Sequence, residues 1–574
     1  MSAKHLAAAK SSVMASSRNR SRNDDGHLKP VASSERRVIA ALFTEPTGLG
    51  LLFLTSVLPL IIGASALLYS GRVLSREMTW DLLFNLAGAW HLSWGHVAHI
   101  DFREPVGALN FLLTALGFRL VGYSPFAFVV GAVIVALVLF IAASLAAWRR
   151  LPLLPATIFV ILTVLLALVP VNVGDVPRAY SFAMSYNRYG WAALAVLFLI
   201  LFLPPKVSRV GTAVDVAVVG VLVAAMFYLK ITYFVAALAA ICFAIPIWPH
   251  LRSCWLAWAI VAGLLIANAL LPYSHPYLAD LWQAVTAGGV RSSATLHLHS
   301  FFAHIAEYAA YGAAFAIAIW LSRRDPAMRL LPHAIAFIVT ASLLVLSQNN
   351  QTHDIPAALI ISFIGCAELG KRWWLRDRYL LIAALMAFPL FSIGGYAASL
   401  AGYASKVRAE AGVYIVESTR LQGLVVPAEP GNLLAAFSSA SGDHRLLSRA
   451  RSVGARFDLT AFEYVETLME AAKLFGGGTS QLSPGIVLLD QINPLPFMLG
   501  IRPPRGGNLW SGIDAPLRPA DELFGDVDYV LIPKFPTNSI WTDAAVAVYD
   551  PFIAVHFPHR KEAQSWILKS RVPF

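Results

Sequence analysis

Apolar runs close to the ~20 residues an α-helix needs to cross a ~30 Å hydrocarbon core recur between Leu49 and about Leu400, with polar residues confined to the short stretches between them. In lipid every backbone N–H and C=O must be bonded internally, so these runs read as helices. The pattern predicts about eleven transmembrane helices, at roughly 49–69, 126–147, 152–171, 189–204, 212–228, 231–248, 254–272, 301–321, 330–347, 355–370 and 379–400. Beyond residue 401 the pattern changes. "GIVLLDQINPLPFMLG" and "DVDYVLIPKFP" read as buried strands ended by Pro and Asn, while "LTAFEYVETLMEAAKLF" has helical periodicity. The expected fold class is a polytopic α-helical membrane protein with a C-terminal α/β domain. Its parts are a basic tail (1–45), a membrane domain (46–401) whose first outer loop is large (70–125), and a soluble domain (402–574).

Composition agrees with that reading. Of 574 residues, 57% are hydrophobic and only 13% charged, against roughly a quarter charged in ordinary globular domains. The formal net charge of +11 is spread over short segments between apolar runs, so it marks membrane orientation and not a compact nucleic-acid face. Cys242, Cys254 and Cys366 lie in or beside apolar runs with no CxxC, which excludes a disulfide framework or a metal knuckle. The N-terminal tail is Ser/Ala-rich and basic, and reads as disordered. About 45 residues precede the first apolar run, which argues against a secretory signal.

Lys and Arg in short loops favour the cytoplasmic side. Arg149-Arg150, Lys206/Arg209, His250/Arg252, Arg323/Arg324/Arg329 and Lys371/Arg372/Arg376/Arg378 all fall on the side of the basic tail if "VGALNFLLTALGFRLVGYS" (106–124) lies along the outer interface without crossing. The expected location is therefore a bacterial inner membrane, with the N-terminus cytoplasmic and the C-terminal domain periplasmic.

With that threading the unusual polar residues collect at the outer face: Asp81, His96, His99, Asp101, Arg103 and Glu104, then Asp175, Arg178, Tyr180, Tyr186, Asn187 and Arg188, then Lys230, and last "SQNNQTHD" with His353. A carrier or channel would place charges along a path inside the spans. Here the span interiors are nearly free of charge, which favours a site at one interface. His96, His99 and Asp101 have the side chains of a Zn²⁺ or Mn²⁺ site but no evident fourth ligand. Structural readings of the same residues stay open: Asp81 as a helix cap, Arg178 and Arg188 as headgroup anchors, and "SYNRYGWA" as an interfacial aromatic belt.

The early acidic residue in "TWDLLFNLAGAW", the following "HIDFREPVGALNFLLTALGFRLVGYSPFAFVV", the many spans and the outer soluble tail resemble the C-type membrane glycosyltransferase (GT-C) superfamily. The likeness is nearest to the bacterial members related to dolichyl-phosphate-mannose protein mannosyltransferases and lipid A aminoarabinose transferases. It covers Leu49 to about Val210 in motif and the later spans in architecture. The resemblance implies a polyprenyl-phosphate sugar donor, and a glycan, lipid or protein acceptor at the periplasmic face. It also implies that the family's two loop carboxylates correspond to Asp81 and Asp101. Trp80-Asp81-Leu82 stands where the family often has an adjacent acidic pair, which bears on any carboxylate-pair metal site.

The chemistry asks for the same residue types. A hydroxyl acceptor needs a carboxylate base, and the departing polyprenyl phosphate needs Arg, Lys, His or a divalent cation, Mg²⁺ or Mn²⁺, aimed at it. Direct displacement would invert the anomeric centre. Asp81 is expected as the base with Asp101 as its partner. Arg103, Asp175, Arg178, Tyr186, Asn187, Arg188, Lys230 and His353 are the candidate phosphate and substrate contacts. A transporter or flippase for a lipid-linked saccharide is the alternative, weakened by the absence of an internal repeat. A non-catalytic assembly factor is a third reading.

Overall fold

The computed structural model describes residues 48–205, 209–286, 301–302, 304–348, 354–372, 375, 377–408, 413–416, 419–428, 459–475, 485–512 and 515–574. Each long apolar run folds as a helix. In chain order these are α1 (Leu49–Leu68), α2 (Thr79–Ser93), α3 (Leu109–Val121), α4 (Phe126–Ala147), α5 (Leu153–Leu168), α6 (Ser185–Phe202), α7 (Arg209–Leu229), α8 (Ile231–Ile247), α9 (Trp255–Leu270), α10 (His275–Thr286), α11 (Ile305–Arg324), α12 (Leu330–Ser347), α13 (Ile360–Gly370) and α14 (Arg378–Arg408).

Among the described residues, six helices are long and apolar enough to cross a bilayer: Leu49–Leu68, Phe126–Ala147, Ser185–Phe202, Gly211–Leu229, Pro326–Ser347 and Arg378–Arg408. The pair α9 and α10, bent by 78°, would add a seventh if counted as one span. The chain is a polytopic helical membrane protein. Five of the segments expected to cross, α5, α8, α9, α11 and the stretch ending in α13, fall outside the six; α5, α8 and the last stretch are shorter apolar helices, and α9 enters only together with α10.

Two ends of the bundle are distinguishable from the packing. At one end Arg149 and Arg150, after α4, meet Asp215 near the start of α7, at 3.4 and 2.6 Å. Arg372 pairs with Asp325 at 2.7 Å, just before the long helix that ends at Ser347. At the other end Lys230, after α7, contacts Asn187 at the start of α6 and Gln348 after α12. Helix α6 is buried almost throughout, so it forms the axis of the bundle. Helix α3 is ~20 Å long at 1.5 Å per residue, too short to cross. It lies against α2 and α4, where Gly117 lets the backbones touch: a Cβ there would sit 2.0 Å from the Ala127 carbonyl oxygen.

The C-terminal region is α/β and shares its construction with the first loop. Strand β1 (Val73–Leu74) pairs in parallel with β3 (Leu424–Pro427), which pairs antiparallel with β2 (Val413–Val416). A second sheet has the order β4-β5-β7-β6, from β4 (Ile486–Leu488), β5 (Tyr529–Pro533), β6 (His559–Glu562) and β7 (Trp566–Ser570). Helices α15 (Ala461–Lys473) and α16 (Ser539–His556) pack with these strands. The Trp90 indole N–H donates to the Ile501 carbonyl at 2.8 Å. Arg103 N donates to Gly507 O, Leu509 N to Arg103 O, and Gly506 N to Asp101 O. Loop and tail thus form one hydrogen-bonded layer over one end of the bundle.

Candidate active site at one end of the helix bundle

A cavity of about 490 Å³ opens where that layer meets the bundle. Its walls come from the N-terminal turns of three helices: Met78, Trp80 and Asp81 of α2, Met184 and Tyr186 of α6, and Lys230, Ile231 and Thr232 of α8. None of the three capping residues, Met78, Met184 and Lys230, supplies a side-chain cap. The first N–H groups of each helix lack intrahelical partners, and each helix end carries partial positive charge. Their convergence favours an anion in the cavity. Met78 and Met184 hold φ of 49° and 47°, a left-handed conformation that non-glycine residues seldom adopt and that concentrates at functional sites.

Asp81 is buried against this cavity. Its Oδ2 accepts the Met184 N–H at 3.2 Å. Burial pushes its carboxyl up to about 7, and the Met184 bond works in the opposite direction by favouring the ionised form. Glu104 is a second buried carboxylate in the same wall, with Oε1 accepting the Val106 N–H at 3.3 Å. Lys230 lines the same cavity; its Nζ donates to Asn187 Oδ1 (3.3 Å) and Gln348 O (3.4 Å) and lies 5.2 Å from the Tyr186 ring centre, close enough for a cation–π contact. Gly107 seats the Glu104 loop on the Lys230 turn: its N–H donates to Leu229 O, and a Cβ would fall 2.1 Å from the Tyr228 carbonyl oxygen. Trp510, from the C-terminal region, closes the cavity edge-on against Phe84.

The residues expected from sequence therefore divide. Asp81, Tyr186 and Lys230 line the cavity, and Asn187 lies directly behind Lys230. Asp101 does not line it: its carboxylate accepts the Val97 N–H at 2.8 Å and faces Arg505 at 3.4 Å, locking a turn onto the C-terminal region. Arg103 turns to the His99 carbonyl and to Asp280. Arg188 is buried and donates to the Val171 carbonyl at 2.8 Å, with Asp175 among its charged neighbours. Asp175 also faces Glu77, whose carboxyl is raised first by burial and then by that like charge. Arg178 is exposed, and His353 lies outside the described residues.

Glu104, counted from sequence among the outer-face polar residues but not as a substrate contact, lines the wall, and so do Asn85, Trp80 and Trp510, which were not site candidates. The signal for Glu104 was present, as a carboxylate immediately before Pro105 with a glycine two positions further on, but nothing in the linear order separates it from Asp101.

Asp280, on α10, ties the parts together. Its Oδ2 accepts the Glu104 N–H and meets His99 Nδ1, both at 3.1 Å, while its Oδ1 faces Arg103 at 3.7 Å and Arg518 at 3.8 Å. The neighbouring Leu281, Ala284 and Val285 form one wall of the cavity. The HxxHxD group is dispersed. His99 goes to Asp280, while His96 meets His91 Nδ1 to Nδ1 at 3.1 Å, in a site whose burial lowers the His91 imidazole to about 3. Among the described residues no three His, Cys, Asp or Glu side chains gather as a metal site.

No family model and no curated protein matches the chain. Solved structures do. ArnT from Cupriavidus metallidurans, bound to undecaprenyl phosphate and in the apo state, is similar at 12% identity and a TM-score of 0.42 in each case, over 91% of this chain and 98% of that one. The Archaeoglobus fulgidus oligosaccharyltransferase, in complex with Zn and sulfate, is similar at 10% identity and a TM-score of 0.34, over 83% of this chain and 67% of that one.

Proposed function

We propose that this chain is a GT-C-type membrane glycosyltransferase that moves a sugar from a polyprenyl-phosphate donor to a hydroxyl on a glycan, lipid or protein acceptor. In this reading the membrane domain makes eleven passes of an inner membrane, the N-terminus is cytoplasmic, and the cavity opens on the periplasmic face. The observation that carries the reading is the cavity itself, whose wall holds two buried carboxylates, a lysine and three helix N-termini without side-chain caps.

The acceptor hydroxyl oxygen attacks the anomeric carbon as its proton passes to the Asp81 carboxylate. The bond from that carbon to the phosphate oxygen breaks, and its electron pair stays on the phosphate. Lys230 and the N-termini of α6 and α8 meet the charge that develops there. Glu104 accepts hydrogen bonds from sugar hydroxyls, and Tyr186, Trp80 and Trp510 offer faces to the ring. In-line displacement inverts the anomeric centre.

The test is transfer of radiolabelled sugar from a purified polyprenyl-phosphate donor by the detergent-solubilised protein. Asp81→Asn should lower turnover by about 10²- to 10⁴-fold while the protein stays monodisperse. Near-normal turnover by that variant would remove the base. No transfer in detergent, together with saccharide movement in sealed vesicles, would favour a transporter.

A further inference from the structure

The Asp81 carboxylate has one bond that favours its charged form, the N–H of Met184. Met184 sits in a left-handed turn, so what fixes that turn fixes the bond. The next residue, Ser185, opens α6 and is buried. Its hydroxyl donates to Asn110 Oδ1 at 3.4 Å and also bonds Tyr189. The amide nitrogen of Asn110 donates to Asn85 Oδ1, and the amide nitrogen of Asn85 donates at 2.8 Å to the main-chain carbonyl of Asp81. The path returns to its origin. Asp81, Met184, Ser185, Asn110 and Asn85 form a closed ring of hydrogen bonds and chain links across α2, α3 and α6, and all three of its linking side chains are buried.

A buried amide is retained at a cost unless both its ends are bonded. Asn110 uses its donor toward α2 and its acceptor toward α6, so it is the one side chain that couples the two ends of the ring. We propose that Asn110, acting through Ser185, is a positioning residue that holds the Met184 N–H on the carboxylate of the base. This rests on the reading of Asp81 as the base, and it predicts where that base works in pH.

The titratable groups that share the cavity wall with Asp81 are Glu104, Lys230 and Tyr186, with Tyr189 behind Ser185. None of them is in the ring, so replacing Asn110 leaves them in place. Breaking the ring frees the Met184 turn, weakens the bond to the ionised carboxylate and raises the pH at which Asp81 ionises. A hydrogen bond to a charged group is worth enough to move that midpoint by about 1 pH unit. Below the midpoint the rate then falls about tenfold at fixed pH, while the plateau at high pH is retained.

Two variants of the full chain, Asn110→Leu and Ser185→Ala, open the ring from opposite sides. Each is read by the pH profile of kcat/KM and by an infrared titration of the Asp81 carboxyl stretch, taken as the difference from Asp81→Asn. The infrared titration does not require that the protein transfer sugar. The expected result is that both variants move the infrared midpoint, and with it the acidic limb of the rate profile, to higher pH. A merely structural role would lower the whole profile without moving either. If Asn110→Leu fails to fold, Ser185→Ala decides. Infrared midpoints at the wild-type pH overturn the positioning role whether or not the protein is a transferase. Shifted midpoints with an unaltered rate in Asp81→Asn keep the ring and remove the base.

Discussion

A carboxyl raised from 3.8 to about 7 by burial has opposite effects on turnover and on stability. As a base Asp81 is useful only when ionised, so kcat/KM should climb through pH 7 and level off above it. The folded state, however, prefers the protonated carboxyl. Its contribution is complete below the unfolded value near 4 and is lost as pH rises through about 7. Asp81→Asn should therefore gain stability relative to the parent as pH rises from 5 to 8, by about 3 kcal/mol of the about 4 kcal/mol that the whole shift is worth. Thermal or denaturant unfolding of the two proteins at both pH values measures it. A stability difference independent of pH would mean that Asp81 ionises as an exposed aspartate does. At this scale the sequence was legible where a side chain sits on a regular element. Asp81, Tyr186 and Lys230 occupy first turns of helices or the residue before one, so their neighbours follow from the helix that carries them. Asp101 and Glu104 are three apart in an irregular loop. Which of them enters the cavity is decided by Arg505, Gly506 and Asp280, residues far along the chain that no local pattern connects to them.

At the scale of elements, the apolar periodicity located the helices, and the count of basic residues in the loops kept the 106–124 segment out of the set of spans, where the structure has a helix of 13 residues. The bend between α9 and α10 was not legible, because the apolar run stops at Leu271 and the following "PYSHPYLADLWQAV" reads as a loop. Its helix is amphipathic and turns its one buried carboxylate, Asp280, toward the first loop and Arg518. Removing one partner of a buried charged set leaves the others uncompensated, at about 3–5 kcal/mol. Asp280→Ala should therefore destabilise the protein by about that amount, and it should raise KM through the Glu104 segment whose N–H it releases. Asp280→Asn keeps an acceptor for that N–H, so its KM should stay closer to the parent even though Arg103 and Arg518 lose their counter-charge. Equal KM values for the two variants would separate Asp280 from the placement of Glu104. The α/β character of the tail was readable from its strands. Its merging with the first loop was not, since the parallel pairing of Val73–Leu74 with Leu424–Val425 joins segments some 350 positions apart.

For the whole molecule the charge count along the sequence and the packing of the helices are independent, and they divide the chain in the same way. Arg149, Arg150, Asp215 and the Asp325–Arg372 pair gather at one end, while Asp81, Glu104, Lys230 and the sheets gather at the other. Basic groups near short loops are retained in the cytoplasm, so the cavity end should face outward. The labelling experiment needs exposed positions. Arg149 is buried against Gly211 and Asp215 and would report burial, not side. Arg324 and Arg178 are both exposed, at the last residue of α11 and in the loop before α6. In a chain freed of Cys242, Cys254 and Cys366, Arg324→Cys should react with an impermeant maleimide only after the cytoplasmic side is opened, and Arg178→Cys should react in intact cells. The reverse pattern would put the cavity on the cytoplasmic face, where a nucleotide sugar would be the accessible donor, and the lipid-linked donor would lose its basis. Reaction of both positions from one side would instead mean that the passes between residues 178 and 324 are miscounted by one. That result would fall on the stretch from α8 to α11, where the short helices and the 78° bend lie.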